Sequence, residues 1–305
     1  MFDVRLATGD NIRSTYTIEE LLGEGSFGAV YRVRHRLLGT QAMKVFRVTA
    51  SGPSVDDVIA EALILSKLLD PHVVRIFEAN TINDSPPERP YMTMEFISGG
   101  TLESFLQRRI RLQPLSALET ARQIAGGLAS AHTQSPPIVH RDLKPQNVLI
   151  DSVSANGTPQ VKVADFGLAK HVDPDSRMVR AAGTLQYLAP EAAWGFSTPA
   201  SDVYSLGIVL FRMLTGVFPF PVTPEGEIDS PATARDALLR SHDGRVPPLS
   251  RFRFGLSPEI GEVVTKSLAT APEDRFRDGV EFGQRLDEVI GGLVRRVGRR
   301  DPGER

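Results

Sequence analysis

His140-Arg141-Asp142-Leu143-Lys144-Pro145-Gln146-Asn147 runs directly into the apolar stretch Val148-Leu149-Ile150, and the reading of the whole chain turns on it. A carboxylate (Asp142), an ammonium (Lys144) and an amide (Asn147) lie close together in sequence. Pro145 fixes φ and has no N–H, so the segment reads as a loop of set shape rather than a helix. Phosphoryl transfer needs such a set: one group to orient a hydroxyl, one to neutralise phosphate charge and one to hold Mg²⁺. The rest of the chain must then supply a nucleotide cradle, a second metal ligand and a platform for the acceptor.

Bulk properties leave room for this. At 305 residues the chain can form one large domain or two lobes with separate cores. Hydrophobic residues make up 41% and charged residues 24%, ordinary for a soluble globular protein. The formal net charge of −2 gives no general attraction to nucleic acid or membrane. With 0 cysteines, disulfides, thiolate metal sites and cysteine nucleophiles are excluded. The first ten residues have no signal-peptide core, and the longest apolar stretch, Val203 to Phe220, is broken by Arg212 and Pro219. It reads as a buried helix rather than a membrane span of ~20 clean residues. A soluble, cytoplasmic chain is expected, with no membrane segment and no nucleic-acid partner.

Working outward, Tyr16–Leu22, Ala29–His35 and Gln41–Phe46 read as strands with glycines at the breaks. Pro53 to Leu69 reads as a helix with Val58, Ala62, Leu65 and Leu69 on one stripe. Strands Val73–Ala79 and Tyr91–Phe96 follow, separated by a proline-rich link. After Ser98-Gly99-Gly100 the periodicity turns helical: Leu102–Arg109, Ser116–Gln134, Ser201–Thr215, Thr233–Arg240, Ser257–Leu268 and Gly279–Val294. Short strands Val148–Asp151 and Gln160–Ala164 interrupt it. The end from Arg295 to Arg305 reads as solvated and frayed. A β-rich part followed by a helical part predicts an α+β fold of two lobes with a cleft between them.

Three further motifs carry chemistry. Gly23-Glu24-Gly25-Ser26-Phe27-Gly28 lies between two strands, where glycines allow close backbone approach to phosphates. Alone it is a weak signal and more often a tight hairpin of any β-protein, and it is not a dinucleotide fingerprint, because a strand follows it. Lys44 sits in the strand Ala42-Met43-Lys44-Val45-Phe46 and calls for an anionic partner if buried; Glu61 in the next helix is the natural one. Alone, Lys44 is more often an edge lysine with its head in water. Asp165-Phe166-Gly167 ends a strand and can ligate a hard cation, although a lone aspartate there is usually a turn residue.

Taken in order, the glycine loop, strand lysine, helix glutamate, catalytic loop, Asp-Phe-Gly and Ala189-Pro190-Glu191 resemble the eukaryotic-type protein kinases over about residues 16 to 290. The resemblance implies a two-lobed protein-kinase-like fold: an antiparallel β-sheet lobe with one main helix (16–97) and a mostly helical lobe (98–290). Residues 1–15 would be an N-terminal extension and 291–305 an Arg-rich tail. It implies a Ser/Thr kinase acting in signalling that moves the γ-phosphate of Mg-ATP to protein substrates. Asp142 would orient the acceptor hydroxyl, Lys144 would touch the γ-phosphate, and Lys44 with Glu61 would hold the α- and β-phosphates. Asn147 and Asp165 would bind Mg²⁺. For ATP itself, Gly23, Glu24, Gly25, Ser26, Phe27 and Gly28 would cover the phosphates. Leu22, Val30, Ala42 and Leu149 would sandwich adenine, Met94 would gate its pocket, and the backbone of Glu95 and Ile97 would bond it.

Asp202 matches the family's buttress of the catalytic loop, and Arg275 the partner of Glu191. Lys144 after Asp142, and Gly183-Thr184 before Leu185-Gln186-Tyr187, resemble the Ser/Thr branch, in which Thr184 bridges Asp142 and Lys144. The compact style looks like bacterial members. A homodimer is compatible with the resemblance. One departure stands out: Arg141 marks kinases switched by a phosphate in the activation segment, yet Ser176 is the only hydroxyl between Gly167 and Gly183. Two other readings share the fold, an ATP-binding pseudokinase scaffold and a small-molecule kinase. The presence of Lys44, Glu61, Asp142, Asn147 and Asp165 opposes the first; Glu191, Asp202 and Arg275 oppose the second.

Overall fold

Alternating apolar and polar residues from Tyr16 onward build the first sheet. The structure, a computed structural model, describes residues 5–25, 28–47, 54–82, 88–166, 185–220, 230–241 and 245–299. The chain forms two compact units that part after Ser98, with Asp70–His72 belonging to the second.

The first unit is a six-stranded antiparallel sheet: β1 (Asn11–Ile12), β2 (Tyr16–Gly25), β3 (Gly28–His35), β4 (Gly39–Phe46), β5 (Ile76–Ile82) and β6 (Arg89–Glu95). The order is β1-β2-β3-β4-β6-β5. One face buries Tyr16, Ile18, Tyr31, Val33, Met43, Val45 and Tyr91 with Leu6 and Ile12. The expected extension therefore contributes to this core: β1 pairs with β2 through Asn11 and Thr17. A two-residue strand is too short to register as periodicity. Strand β5 begins three residues later than expected. Val73 and Val74 are buried, but pairing with β6 starts only at Ile76 opposite Met94. Apolar runs mark burial, and pairing is decided elsewhere.

Helix α1 (Val55–Leu65) starts at Ser54, whose hydroxyl accepts from the Asp57 N–H at 3.1 Å while Asp57 accepts in return from the Ser54 N–H. It ends four residues before the expected Leu69. Past Leu65 the chain tightens into three-residue turns, Lys67 N–H to Ile64 O and Leu68 N–H to Leu65 O. Leu68 is buried in consequence, and Leu69 is 76% exposed.

The second unit holds the hairpin β7 (Val148–Val153) and β8 (Pro159–Val163) and six α-helices among the described residues. These are α2 (Leu102–Arg109), α3 (Pro114–His132), α4 (Pro199–Thr215), α5 (Pro231–Ser241), α6 (Pro258–Ser267) and α7 (Gly279–Arg299). Buried residues surround α4 on every side. It is capped by Thr198 with Pro199 in its first turn and closed by Gly216 at φ +85°. Among the described residues no helix is long and apolar enough to cross a membrane. Helix α7 starts hard against α3: a Cβ on Gly279 would lie 2.6 Å from Ala129 N. It continues to Arg299, where a frayed end from Arg295 was expected. Arg296 pairs there with Glu259 of α6, so the basic end is partly used in packing helix on helix.

Candidate active site

The loop is built on one buried carboxylate. Asp202, in the first turn of α4, is 0% exposed and accepts three N–H bonds. They come from His140 N at 2.7 Å, Arg141 N at 2.9 Å and His132 Nε2 at 2.9 Å. The His132 tautomer follows from its other side, because Nδ1 accepts the Gly279 N–H at 3.0 Å. The proton must then sit on Nε2. Burial works against a charged Asp202, yet the His132 bond and the backbone donors hold its carboxyl below the ordinary carboxylate range. Two adjacent N–H groups are thereby aimed at one carboxylate, which fixes Arg141 at φ +68°, a conformation long side chains rarely adopt.

Beyond that corner, Asp142, Lys144 and Asn147 converge. Lys144 Nζ lies 2.9 and 3.1 Å from the two Asp142 carboxylate oxygens. Asn147 Nδ2 donates to Asp142 O at 2.8 Å and to its Oδ2 at 3.2 Å. Both partners are acceptors, so the amide can have only one orientation, and Asn147 Oδ1 is left to face other chemistry. The Pro145–Asn147 segment is a single 3₁₀ turn, and Asn147 leads directly into β7.

Asp165 is joined to this loop through strand pairing. Val148 pairs with Val163, Ala164 N donates to Asn147 O at 2.8 Å, and His140 Nε2 reaches Ala164 O at 3.0 Å. The His140 ring also packs on Phe166, 4.7 Å between centroids. Asp165 itself has φ +60°. Among the positive-φ residues, Arg141 adjoins Asp142 and Asp165 is itself a candidate metal ligand, and strain of this kind gathers at functional sites. Leu149 lies in β7 opposite Lys162.

The segment leading into α4 is held by charge. Arg275 is buried and grips Glu191 with two parallel bonds of 2.7 and 2.8 Å, as expected for that pair. Burial opposes the charge on Glu191, but Arg275 and Ser201 hold its carboxyl below the ordinary range. A second cluster had no signal in sequence. Arg212 of α4 takes both oxygens of Glu103 in α2 (2.5 and 2.7 Å) and the Tyr187 hydroxyl (2.6 Å). Glu103 is held below its ordinary value by that pairing. His132 was likewise missed, because its partners lie far along the chain.

In the first unit, register gathers the remaining candidates. Cross-strand partners share a face, and residues two apart do as well. Gly23 pairs with Val30, Val30 with Lys44, and Ala42 with Met94, so these five lie on the face opposite the apolar core. Leu22 is the extra residue of a bulge between Leu21 and Gly23. Glu24 pairs with Ala29 and forms ion pairs with Arg5 and Arg47. Gly25 pairs with Gly28, which needs to be glycine: φ is +152° and a Cβ would strike Val45 O. Lys44 and Glu61 are 5% and 7% exposed. Glu95 ends β6 and its N–H donates to Arg75 O at 3.0 Å; Ile97 follows as half-buried coil. Ser26, Phe27, Thr184 and Ser176 lie outside the described residues.

An antiparallel N-terminal sheet, a helical second unit and this loop define a protein of the kinase class. The chain belongs to the protein kinase domain family, whose family model matches residues 16–279. It is 33% identical to the serine/threonine-protein kinase PknB of Mycobacterium leprae over 294 residues, covering 94% of this chain and 45% of that protein. Serine/threonine-protein kinase Pkn1 of Myxococcus xanthus is also 33% identical, with 92% and 39% covered. The chain thus spans less than half the length of these relatives. Among solved structures, the Mycobacterium tuberculosis PknI kinase domain has the same fold, with a TM-score of 0.67 at 24% identity over 93% of this chain and 99% of that one. Rad53 1-466, crystallised with AMP-PNP, gives 0.68 at 28% identity over 90% and 65%.

Proposed function

We propose that the chain is a protein serine/threonine kinase that transfers the γ-phosphate of Mg-ATP to Ser or Thr hydroxyls of protein substrates. The observation that carries this reading is the Asp142 carboxylate held between Lys144 Nζ and Asn147 Nδ2. A carboxylate so placed orients a hydroxyl and takes up its proton, while the ammonium beside it meets the incoming phosphoryl charge. The likeness to the Ser/Thr kinases PknB and Pkn1 supports the acceptor type.

The residues fit Mg²⁺. Asn147 Oδ1 is left free of Nδ2's duties, and Asp165 adds a carboxylate; hard oxygen donors suit this ion. Among the described residues no group of three or more His, Asp or Glu could hold a metal alone. Mg²⁺ bound with a nucleotide keeps waters and phosphate oxygens as its other ligands, so two protein ligands suffice. Mg-ATP supplies the activated phosphoryl group. In the first unit, Lys44, poised by Glu61, would take the α- and β-phosphates, with Gly23 to Gly28 above them. Leu22, Val30, Ala42, Met94, Glu95 and Ile97, with Leu149, would bind adenine. Thr184 would bridge Asp142 and Lys144. The working division is an N-lobe of 16–97 and a C-lobe of 98–290, flanked by an extension and a tail. The parting of the two units after Ser98 supports it. A cytoplasmic location is part of this reading, since the reaction needs a supply of ATP.

Labelled Mg-ATP and a generic protein substrate test this reading. Phosphoserine or phosphothreonine in the product supports it; nucleotide binding without transfer makes the chain a pseudokinase scaffold. Transfer only to a small hydroxylic or amino compound makes it a small-molecule kinase. Regulation is a separate question: we favour an activation segment ordered without phosphate. Stoichiometric phosphate on Ser176, with activity lost in Ser176→Ala, would reject that.

A further inference from the structure

The second unit carries a basic cavity that the phosphotransfer residues do not use. The α2–α3 connection, the end of α4 and the chain before α6 border an open cavity of about 470 Å³, lined by Arg109, Ile110, Arg111, Gln113, Thr215 and Arg253 among others. Among the described residues no carboxylate lines it. Among the described residues, none of the three arginines has an acidic partner, although ion pairs are frequent elsewhere on this unit.

Arg253 is built into the wall. Its Nη1 donates to Leu112 O at 2.5 Å and Leu214 O at 3.2 Å, and Nη2 donates to Gln113 Oε1 at 3.3 Å. A guanidinium has five N–H donors, so its Nε–H and one Nη2–H have no acceptor among the described residues. Burial first, and then repulsion from Arg111, hold Arg253 below the ordinary arginine value. Two neighbouring cations with no anion between them are what a bound anion would relieve. Arg109 rests its guanidinium over Phe105, 4.8 Å from the ring centroid, at the edge of the same cavity.

The backbone between the arginines is strained. Ile110 has φ +53° and ψ −56°, with the Arg111 N–H turned onto Arg109 O. This is the rare positive-φ γ-turn, here centred on a β-branched residue. Its side chain is 75% exposed, so burial does not account for the conformation. The Leu112 N–H on Met213 O at 2.7 Å pins the exit of this turn to the end of α4, and strain of this kind is found at ligand clamps.

We propose that this cavity binds a phosphorylated serine or threonine within a peptide segment. Arg111 and the free donors of Arg253 take the phosphate oxygens, and exposed Ile110 covers an apolar neighbour of the phosphorylated residue. Guanidinium forks match phosphate oxygens in pairs, and a dianion suits two uncompensated cations. The apolar contact separates a peptide from a bare ion.

The test uses the full chain without Mg²⁺ or nucleotide and a fluorescein-labelled Ala-Val-pThr-Val-Ala peptide, read by anisotropy. Wild type should bind it, more weakly as salt rises, and should ignore the unphosphorylated peptide. Arg111→Gln should weaken binding by about tenfold or more, and Arg109→Gln/Arg111→Gln further. Arg253→Gln removes wall bonds and is unsuitable alone; Arg111 is exposed, so its variant should melt with wild type. Equal binding by wild type and the double variant overturns the proposal. So does inorganic phosphate competing as well as the peptide, or binding to phosphatidylglycerol vesicles in place of the peptide.

Discussion

Replacing Asp202 by asparagine keeps the shape of the side chain and removes one acceptor and the charge. In the native structure its oxygens receive His132 Nε2, His140 N and Arg141 N at 2.9, 2.7 and 2.9 Å. With the asparagine oxygen turned to His132 and His140, its NH₂ faces the Arg141 N–H, donor against donor. Turned the other way, two bonds are lost. The lesser loss strands one N–H, about 1–3 kcal/mol, and strips charge assistance from two bonds, about 1 kcal/mol each. Asp202→Asn should therefore destabilise the second unit by about 3–5 kcal/mol, or a fall in Tm of roughly 6–20 °C. Activity should fall too, because the Arg141 N–H bond sets the φ of the residue before Asp142. Misplacing a reacting group by about 1 Å typically lowers rate by about 10²-fold. Differential scanning calorimetry and steady-state phosphotransfer read both effects. A variant melting within about 2 °C of wild type with unchanged kcat would refute the anchoring role.

Acid should unfold the chain through the same groups. Asp202, Glu191 and Glu103 all have folded-state values below the ordinary carboxylate range. Their contribution is complete above the unfolded values near pH 4 and is lost as pH falls through the lowered folded values. Urea midpoints should be flat in these groups' terms from pH 7 to about 5 and drop below about 4; a loss centred near pH 6 would contradict this. Helix α7 offers a matched glycine pair. Gly279→Ala would put a Cβ 2.6 Å from Ala129 N and 2.7 Å from Ala125 O, both backbone atoms. It should destabilise by about 1–3 kcal/mol. Gly292→Ala in the same helix meets nothing within 4 Å and should stabilise by up to about 1 kcal/mol. Equal melting of the two variants would mean that α3 and α7 do not pack as described.

What the residues reveal in advance, and what they conceal, follows from the range of the interactions. Helix α2 has the expected ends; its start has a local signal, the Thr101 hydroxyl that caps the Ser104 N–H at 3.1 Å, whereas nothing about an isoleucine announces the φ of +53° that ends it. Asp142, Lys144 and Asn147 sit within one loop, so their convergence could be read from spacing and family likeness together. The Glu191–Arg275 pair spans 84 residues and was reachable only through the resemblance. Glu103 and Arg212, separated by 109 residues, were not reachable in that way. The same is true of His132, whose helix pattern says buried and nothing more. Strand β5 was misplaced at its start because Val73 and Val74 are as apolar as paired strand residues. The extension of α7 to Arg299 is accompanied by the Arg296–Glu259 ion pair, whose partner no local pattern announces. The Lys44–Glu61 pairing rests on the family likeness and on the burial of both residues.

The central claim is that Asp142 is the group that orients the acceptor hydroxyl. It is tested most directly by single-turnover transfer from labelled Mg-ATP to a Ser/Thr protein substrate by wild type and Asp142→Asn. Asparagine keeps the shape and an acceptor oxygen but cannot take the proton or hold Lys144 by charge. The rate should fall by about 10²–10⁴-fold, with nucleotide binding and Tm near wild type. Equal transfer rates in the two proteins would contradict the account.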